Sequence, residues 1–298
     1  MGLKTFPGLA FKPGAPCQLA GYADQSAQGS DLLVYRPRHL LDARTTTRQA
    51  AEGMSVSGER FHLSKEELAK RIDHTALRPT TTVEEIDRLC DEAMRFGLWS
   101  VCVGPYFVKH ASGRLTGSRV KTCVVIGFPL GFADAGVKLA EARVAMDHGA
   151  DELDMVMNVS AFKSRDYGTV ANEIGKVADL CQANRKLLKV IIECCYLTKD
   201  EKVRAARDAE TSGADFVKTS TGFGPTGATV EDVKLLKSVL SARTGVKAAG
   251  GISTLAKAIE MINAGADRIG SSSGAKIMEE WGTNPPPRTI SVGRDTTL

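Results

Sequence analysis

The chain has 298 residues, 43% apolar and 25% charged, and 39 Lys+Arg against 35 Asp+Glu leave a formal net charge of +4. That length and balance fit one large or two ordinary soluble domains. They exclude a disulfide mini-protein, a collagen-like fibre and a fully disordered chain. The charge is too mild, and too free of dense Lys/Arg runs, for a nucleic-acid surface.

Seven cysteines (Cys17, Cys90, Cys102, Cys123, Cys181, Cys194, Cys195) are scattered, with no CxxC pair. Reduced thiols in a cytoplasmic protein are the simplest reading. The longest apolar stretch, around 124–132, is broken by Gly127, Pro129 and Gly131 and is too short to span a bilayer. Asn158-Val159-Ser160 matches a glycosylation acceptor, but no secretory h-region precedes it, so the match is read as chance.

Residues 1–62 are rich in Gly, Pro, Ser, Thr, Gln and Arg and lack periodicity, which predicts a disordered extension. A transit peptide is the alternative, weakened by Asp24, Asp31 and Asp42, and Met54 is a second candidate first residue. Residues 283–298, with Pro285-Pro286-Pro287, read as a flexible tail.

Between them, in 63–282, the chain repeats itself. Helical segments end in Gly-Ala-Asp before a short apolar strand three times: at Gly149 before LDMVM, at Gly213 before FVKTS and at Gly265 before RIGSS. Leu139, Ala142 and Met146 share one helix face, as do Val233, Leu236 and Leu240. Eight strand-like runs centre near Asp73, Cys102, Val124, Asp154, Ile191, Lys218, Lys247 and Gly270, each gap holding one strand and one crossover helix. Alternating apolar strands and helices predict a parallel sheet, and eight units predict an α/β fold of the closed (β/α)8 TIM-barrel type. A doubly wound open sheet is the runner-up, but no Gly-rich nucleotide loop follows the first strand.

Three lysines lie inside strand patterns: Lys189 in LLKVIIE, Lys218 in FVKTSTG and Lys247 in GVKAAGG. A single one would be read as snorkelling or paired with Glu152, Asp154 or Glu193. Three on successive strands point at one lumen, where crowding and burial favour at least one neutral amine. A neutral amine attacks aldehydes and ketones to give a Schiff base. Glu152 and Asp154 share a side of their strand, and Asp154 is nearer its C-terminal end, where barrel chemistry sits.

Gly/Ser clusters follow three late strands: Ser220-Thr221-Gly222, Gly250-Gly251 and Gly270-Ser271-Ser272-Ser273-Gly274. The last two precede helices, an arrangement that binds phosphate through backbone N–H groups. The run Gly222 to Gly227 formally fits GxGxxG, but the acid expected about 20 residues further on is missing. No Walker A loop, HExxH or zinc-type Cys/His spacing occurs, so metal chemistry has little support. Cys102 in SVCVGP reads as an inert strand thiol rather than a nucleophile.

At these residues the sequence resembles the deoxyribose-phosphate aldolase family, class I Schiff-base aldolases. The matching runs are IDHTAL (72–77), VCVGP (101–105), GADELDMVMN (149–158), LLKVIIE (187–193), GADFVKTSTGF (213–223), GVKAAGGI (245–252) and ADRIGSSSG (266–274). The resemblance implies that Lys218 forms the Schiff base, that Lys247 is the cation beside it and that Asp154 transfers protons. It implies that Asp73, Cys102, Lys189 and Thr219 line the site, and that Gly222, Gly250, Gly251, Ser272 and Ser273 hold a phosphate. Some family members carry a lysine where Phe223 stands and an arginine where Ser253 stands, so the side-chain charge offered to a phosphate is reduced here.

The implied reaction requires no metal and no organic cofactor, and the implied partners are small phosphosugar and aldehyde substrates, with no nucleic acid and no membrane. The assembly is left open between homodimer and homotetramer. A phosphosugar isomerase barrel would share the phosphate loops without needing strand lysines. A catalytically silent relative would lack Lys218 or Asp154.

Overall fold

The computed structural model describes residues 63–283 and the backbone of two short strands, Arg60–Phe61 and Ile290–Ser291, which pair antiparallel as a separate sheet. The expectations for residues 1–62 and for the tail beyond Thr283 otherwise lie outside the described residues.

Eight parallel strands close into a barrel. They are β1 (Ile72–Ala76), β2 (Ser100–Val103), β3 (Lys121–Ile126), β4 (Glu152–Val156), β5 (Leu187–Ile191), β6 (Phe216–Lys218), β7 (Gly245–Ala249) and β8 (Arg268–Ser271). β8 returns to β1 with Ile269 opposite Ile72, which leaves the barrel no free edge and excludes the open sheet. Every predicted strand centre falls inside an observed strand.

The helices are α1 (Lys65–Ala69), α2 (Val83–Phe96), α3 (Val108–Arg114), α4 (Ala135–Asp147), α5 (Val159–Lys163), α6 (Tyr167–Ala183), α7 (Lys199–Thr211), α8 (Val230–Val239), α9 (Leu255–Asn263) and α10 (Gly274–Thr283). Ser64, Thr82 and Thr198 open α1, α2 and α7 through capping boxes with Glu67, Glu85 and Glu201. Gly149, Gly213 and Gly265 follow helix ends with φ of 98°, 97° and 108°, a region that a side chain would disfavour. The β4–β5 crossover is the longest because it holds two helices, α5 and α6. Among the described residues no helix is long and apolar enough to cross a membrane.

The alternation along each strand separates two environments. Ile72, Val101, Val124, Leu153, Leu188, Val217, Val246 and Ile269, one per strand, are fully buried in the apolar layer under the helices. Each contributes roughly 1.5–3 kcal/mol by leaving water. The residue one step away on each strand is Asp73, Cys102, Cys123, Asp154, Lys189, Lys218, Lys247 or Arg268. Since successive strand side chains point to opposite faces, this second set fills the lumen. The outer layer holds the fold, and the lumen is free to carry charge.

Candidate active site

Asp154 on β4 is the hub of the lumen. Its Oδ1 accepts from Lys189 Nζ at 2.8 Å and from the Cys123 thiol at 3.2 Å. Its Oδ2 accepts from Lys247 Nζ at 2.7 Å and from Lys218 Nζ at 2.9 Å. Asp73 on β1 takes Lys247 Nζ at 2.5 Å, Arg268 at 2.7 Å and the Ser100 hydroxyl at 2.7 Å. Below them Glu152 takes Lys189 Nζ at 2.6 Å, Arg268 at 3.4 Å and the Trp99 indole N–H at 2.6 Å. The Arg268 guanidinium also lies over the Trp99 ring, 4.5 Å from its centroid.

These distances are those of charge-assisted bonds, which offset the cost of burying ions. Burial alone would favour the neutral acid of Asp154, but Lys189, Lys218 and Lys247 hold its carboxyl well below the usual range. Burial likewise opposes the Lys247 ammonium, and Asp154 and Asp73 override it, pushing its proton loss above the ordinary lysine range. Lys189 behaves the same way, with burial outweighed by Asp154, Cys123 and Glu152.

Four cations (Lys189, Lys218, Lys247, Arg268) therefore face three carboxylates (Asp73, Glu152, Asp154) in a closed space. A buried surplus charge is costly, so the cluster closes at zero net charge when one cation gives up its proton. Arginine does not deprotonate in proteins. Lys189 meets Glu152 and Asp154 closely, and Lys247 meets Asp73 and Asp154. Lys218 meets Asp154 alone, from the C-terminal end of β6.

The structure thus brings together Lys218, Asp154, Lys247, Lys189, Asp73 and Cys102. It does not bring Thr219 to this cluster: the Thr219 hydroxyl accepts the Ala249 N–H at 3.2 Å and ties β6 to β7. Gly222, Gly250 and Gly251 have φ of 89°, 87° and 76° and sit beyond the C-terminal ends of β6 and β7. Ser272 and Ser273 lie between β8 and the start of α10, where the Ser271 hydroxyl accepts the Ser273 N–H at 2.9 Å. In the GxGxxG-like run, a Cβ on Gly227 would stand 2.2 Å from the Gly250 carbonyl oxygen. Here, then, a glycine lets two backbone loops touch. Phe223 is about half exposed and meets Phe128 edge-on at 5.3 Å. Asn158, the sequon residue, caps α5 by accepting the Ala161 N–H at 3.0 Å.

Sequence reasoning missed Arg268 and Cys123, and it offered Glu193 as a lysine partner where the structure sets it on Thr221. Arg268 carried the same signal as the lysines, a charge inside the strand run DRIGSS. Cys123 had no signal, since a thiol in an apolar strand reads as core. Glu193, just past β5, has a left-handed φ of 52° and its carboxylate accepts from the Thr221 N–H and hydroxyl. It thereby pins the loop that carries Gly222. Among the described residues the donor group with metal-like spacing is Cys102, Cys123 and Asp154. Lys189 Nζ stands against two of those three atoms, so an ammonium already fills that position.

Residues 67–280 match the family model described as DeoC/LacD family aldolase. The chain belongs to the DeoC/LacD aldolase family. A deoxyribose-phosphate aldolase of Thermococcus kodakarensis is 53% identical over 219 residues, 73% of this chain and 98% of that protein. A solved aldolase named QR15 is 46% identical with a TM-score of 0.69, covering 72% of this chain and 96% of its own. The deoxyribose phosphate aldolase of Aeropyrum pernix, described as a unique tetramer, is 36% identical with a TM-score of 0.71, covering 74% and 94%.

Proposed function

We propose that this chain reversibly cleaves 2-deoxy-D-ribose 5-phosphate to D-glyceraldehyde 3-phosphate and acetaldehyde, with Lys218 as the Schiff-base lysine. The family and the relatives named deoxyribose-phosphate aldolase support the reaction. The observation that carries the residue roles is the charge count of the lumen. Lys218 is held by one carboxylate, where Lys189 and Lys247 each meet two, and it stands at the C-terminal end of β6, where barrel chemistry sits.

In the synthetic direction the Lys218 amine adds to the acetaldehyde carbonyl, and loss of water gives a protonated imine. That iminium is the electron sink. Asp154 Oδ2, which stands 2.9 Å from Lys218 Nζ, is placed to relay the methyl proton and so form the enamine. The enamine carbon attacks the aldehyde of glyceraldehyde 3-phosphate, the new alkoxide takes a proton, and hydrolysis of the imine frees Lys218. Lys247 and Lys189 remain charged, keeping Asp154 ionised between steps. Gly222, Gly250, Gly251, Ser272 and Ser273 receive the phosphate through backbone N–H groups. Phe223 and Ser253 add no charge there. The setting we infer is the cytoplasm, with a homodimer or homotetramer as the working assembly.

Borohydride reduction in the presence of acetaldehyde tests the assignment. The expected product is a two-carbon adduct on the peptide containing Lys218, found by mass spectrometry. An adduct confined to Lys189 or Lys247 would overturn the assignment, and no adduct on any lysine would move the chain to another aldolase chemistry.

A further inference from the structure

Cys102 and Cys123 are registered neighbours on the adjacent parallel strands β2 and β3, and both thiols point into the lumen beside Asp154. The two sulfurs and a carboxylate oxygen of Asp154 lie within 4.8 Å of one another. Adjacent strands stand about 4.8 Å apart, inside the Cα separation of roughly 4.4–6.8 Å that a disulfide bridges. The proposed reaction gives Cys123 no chemical step; it serves only as a donor to Asp154 and an acceptor from Lys189.

The pair is chemically asymmetric. The adjoining Cys123 sulfur first, then Lys247 and Lys218, hold the Cys102 thiol below its ordinary range against burial and Asp154. Burial first, then Cys102 and Asp154, push the Cys123 thiol well up. Of the two, Cys102 is the readier to ionise and Cys123 the readier to keep its proton, the division of labour between an attacking and a resolving cysteine. A soft metal ion would want the same sulfurs, but the Lys189 ammonium stands 3.4 Å from Cys123 Sγ and occupies that position.

We propose that Cys102 and Cys123 form an oxidisable dithiol, closed to a disulfide by small peroxides, and that closing it slows the enzyme. The Cys102 thiolate attacks the O–O bond of hydrogen peroxide, giving a sulfenic acid and hydroxide. The Cys123 sulfur then displaces the sulfenic oxygen, which leaves as water with the thiol proton. Two thiols and one peroxide yield one disulfide and two waters. Hydrogen peroxide is smaller than acetaldehyde, so it can follow whatever path the aldehyde takes to Lys218; this step rests on the proposed function. The new S–S bond, about 2.05 Å long, draws Cys123 away from Asp154 Oδ1. Asp154 then loses a donor, and a lost hydrogen bond to a charged group corresponds to roughly a tenfold fall in rate.

The test is non-reducing tryptic mass spectrometry of the whole chain after hydrogen peroxide, with free thiols alkylated first. Cleavage after Arg95, Lys109, Lys121 and Lys138 puts Cys102 and Cys123 on separate peptides, 96–109 and 122–138. The expected result is those two peptides joined with the loss of two hydrogens, a roughly tenfold fall in aldolase rate relative to untreated enzyme, and recovery with dithiothreitol. Cys123→Ala, compared with its own untreated rate, is expected to carry Cys102 past the dithiothreitol-reducible sulfenic acid to the sulfinic acid with a second peroxide, and so not to recover. Absence of the joined peptide in the unmodified chain overturns the proposal, whether both thiols stay alkylatable or Cys102 gathers oxygen alone. Because the joined peptide is read as a mass, the result is independent of which sugar phosphate the enzyme cleaves.

Discussion

At the scale of single residues, the lumen works by charge balance. With Lys247 present, four cations face three carboxylates, and neutrality asks for one free amine. Lys247→Leu leaves three against three, which removes the surplus that asks the cluster for one free amine. The acid limb of the pH–rate profile for imine formation is then expected to move up by about 1–3 pH units. At neutral pH the rate should fall about tenfold for each unit, and raising the pH should recover part of it. Lys218→Leu should show no rescue. Stopped-flow imine formation between pH 5 and 10 checks this, with circular dichroism to confirm folding; an unmoved profile in Lys247→Leu would reject charge coupling. A second expectation follows from Lys189. Since its ammonium occupies the position among Cys123 and Asp154 that a cation would take, exhaustive dialysis against EDTA should leave kcat/KM unchanged. Loss of turnover restored by added zinc would contradict it.

At the scale of elements, the site is held from behind by helices. Lys138 on α4 and Glu173 on α6 are both buried, and Lys138 Nζ reaches Glu173 at 2.7 Å and the Val156 carbonyl at 2.9 Å. The other Glu173 oxygen accepts the Asn158 N–H at 2.6 Å. This pair fastens the chain just beyond Asp154 to two crossover helices. Burial pulls the Lys138 ammonium down and pushes the Glu173 carboxyl up, so each charge depends on the other. Lys138→Met strands a buried carboxylate and is expected to cost about 3–5 kcal/mol. At about 2–4 °C per kcal/mol, Tm should fall by roughly 10 °C. The double variant Lys138→Met/Glu173→Leu should regain part of that loss. Calorimetry distinguishes the cases: equal Tm for single and double variants would mean that the pair is not coupled. Neither residue was legible in the sequence, because a lysine and a glutamate on separate helices look like ordinary solvated positions until the fold packs them together.

At the scale of the whole molecule, the barrel was legible because its signal is repeated. Each strand runs apolar, each crossover is amphipathic, and Gly-Ala-Asp marks three of the joins, so an error at one unit is corrected by its neighbours. The lumen lysines were legible for the complementary reason that each breaks an apolar strand. The partners that balance them were only partly so: Asp154 was read, whereas Arg268 and Cys123 depend on strand register and barrel closure, which no local pattern encodes. The same closure bounds the chemistry. Every residue placed in the site lies between Asp73 and Ser273, β8 pairs back to β1, and the family match spans residues 67–280. The Thermococcus relative is covered over 98% of its own length by the aligned segment. Residues 1–53 lie outside that match. A chain beginning at Met54 is expected to keep the kcat/KM and Tm of the full chain, with the same borohydride adduct on Lys218. Parallel steady-state kinetics and thermal melts on the two lengths decide it. A fall in kcat/KM at unchanged Tm would mean that the extension reaches the mouth of the barrel and belongs to the site. A fall in both would mean that it supports the fold.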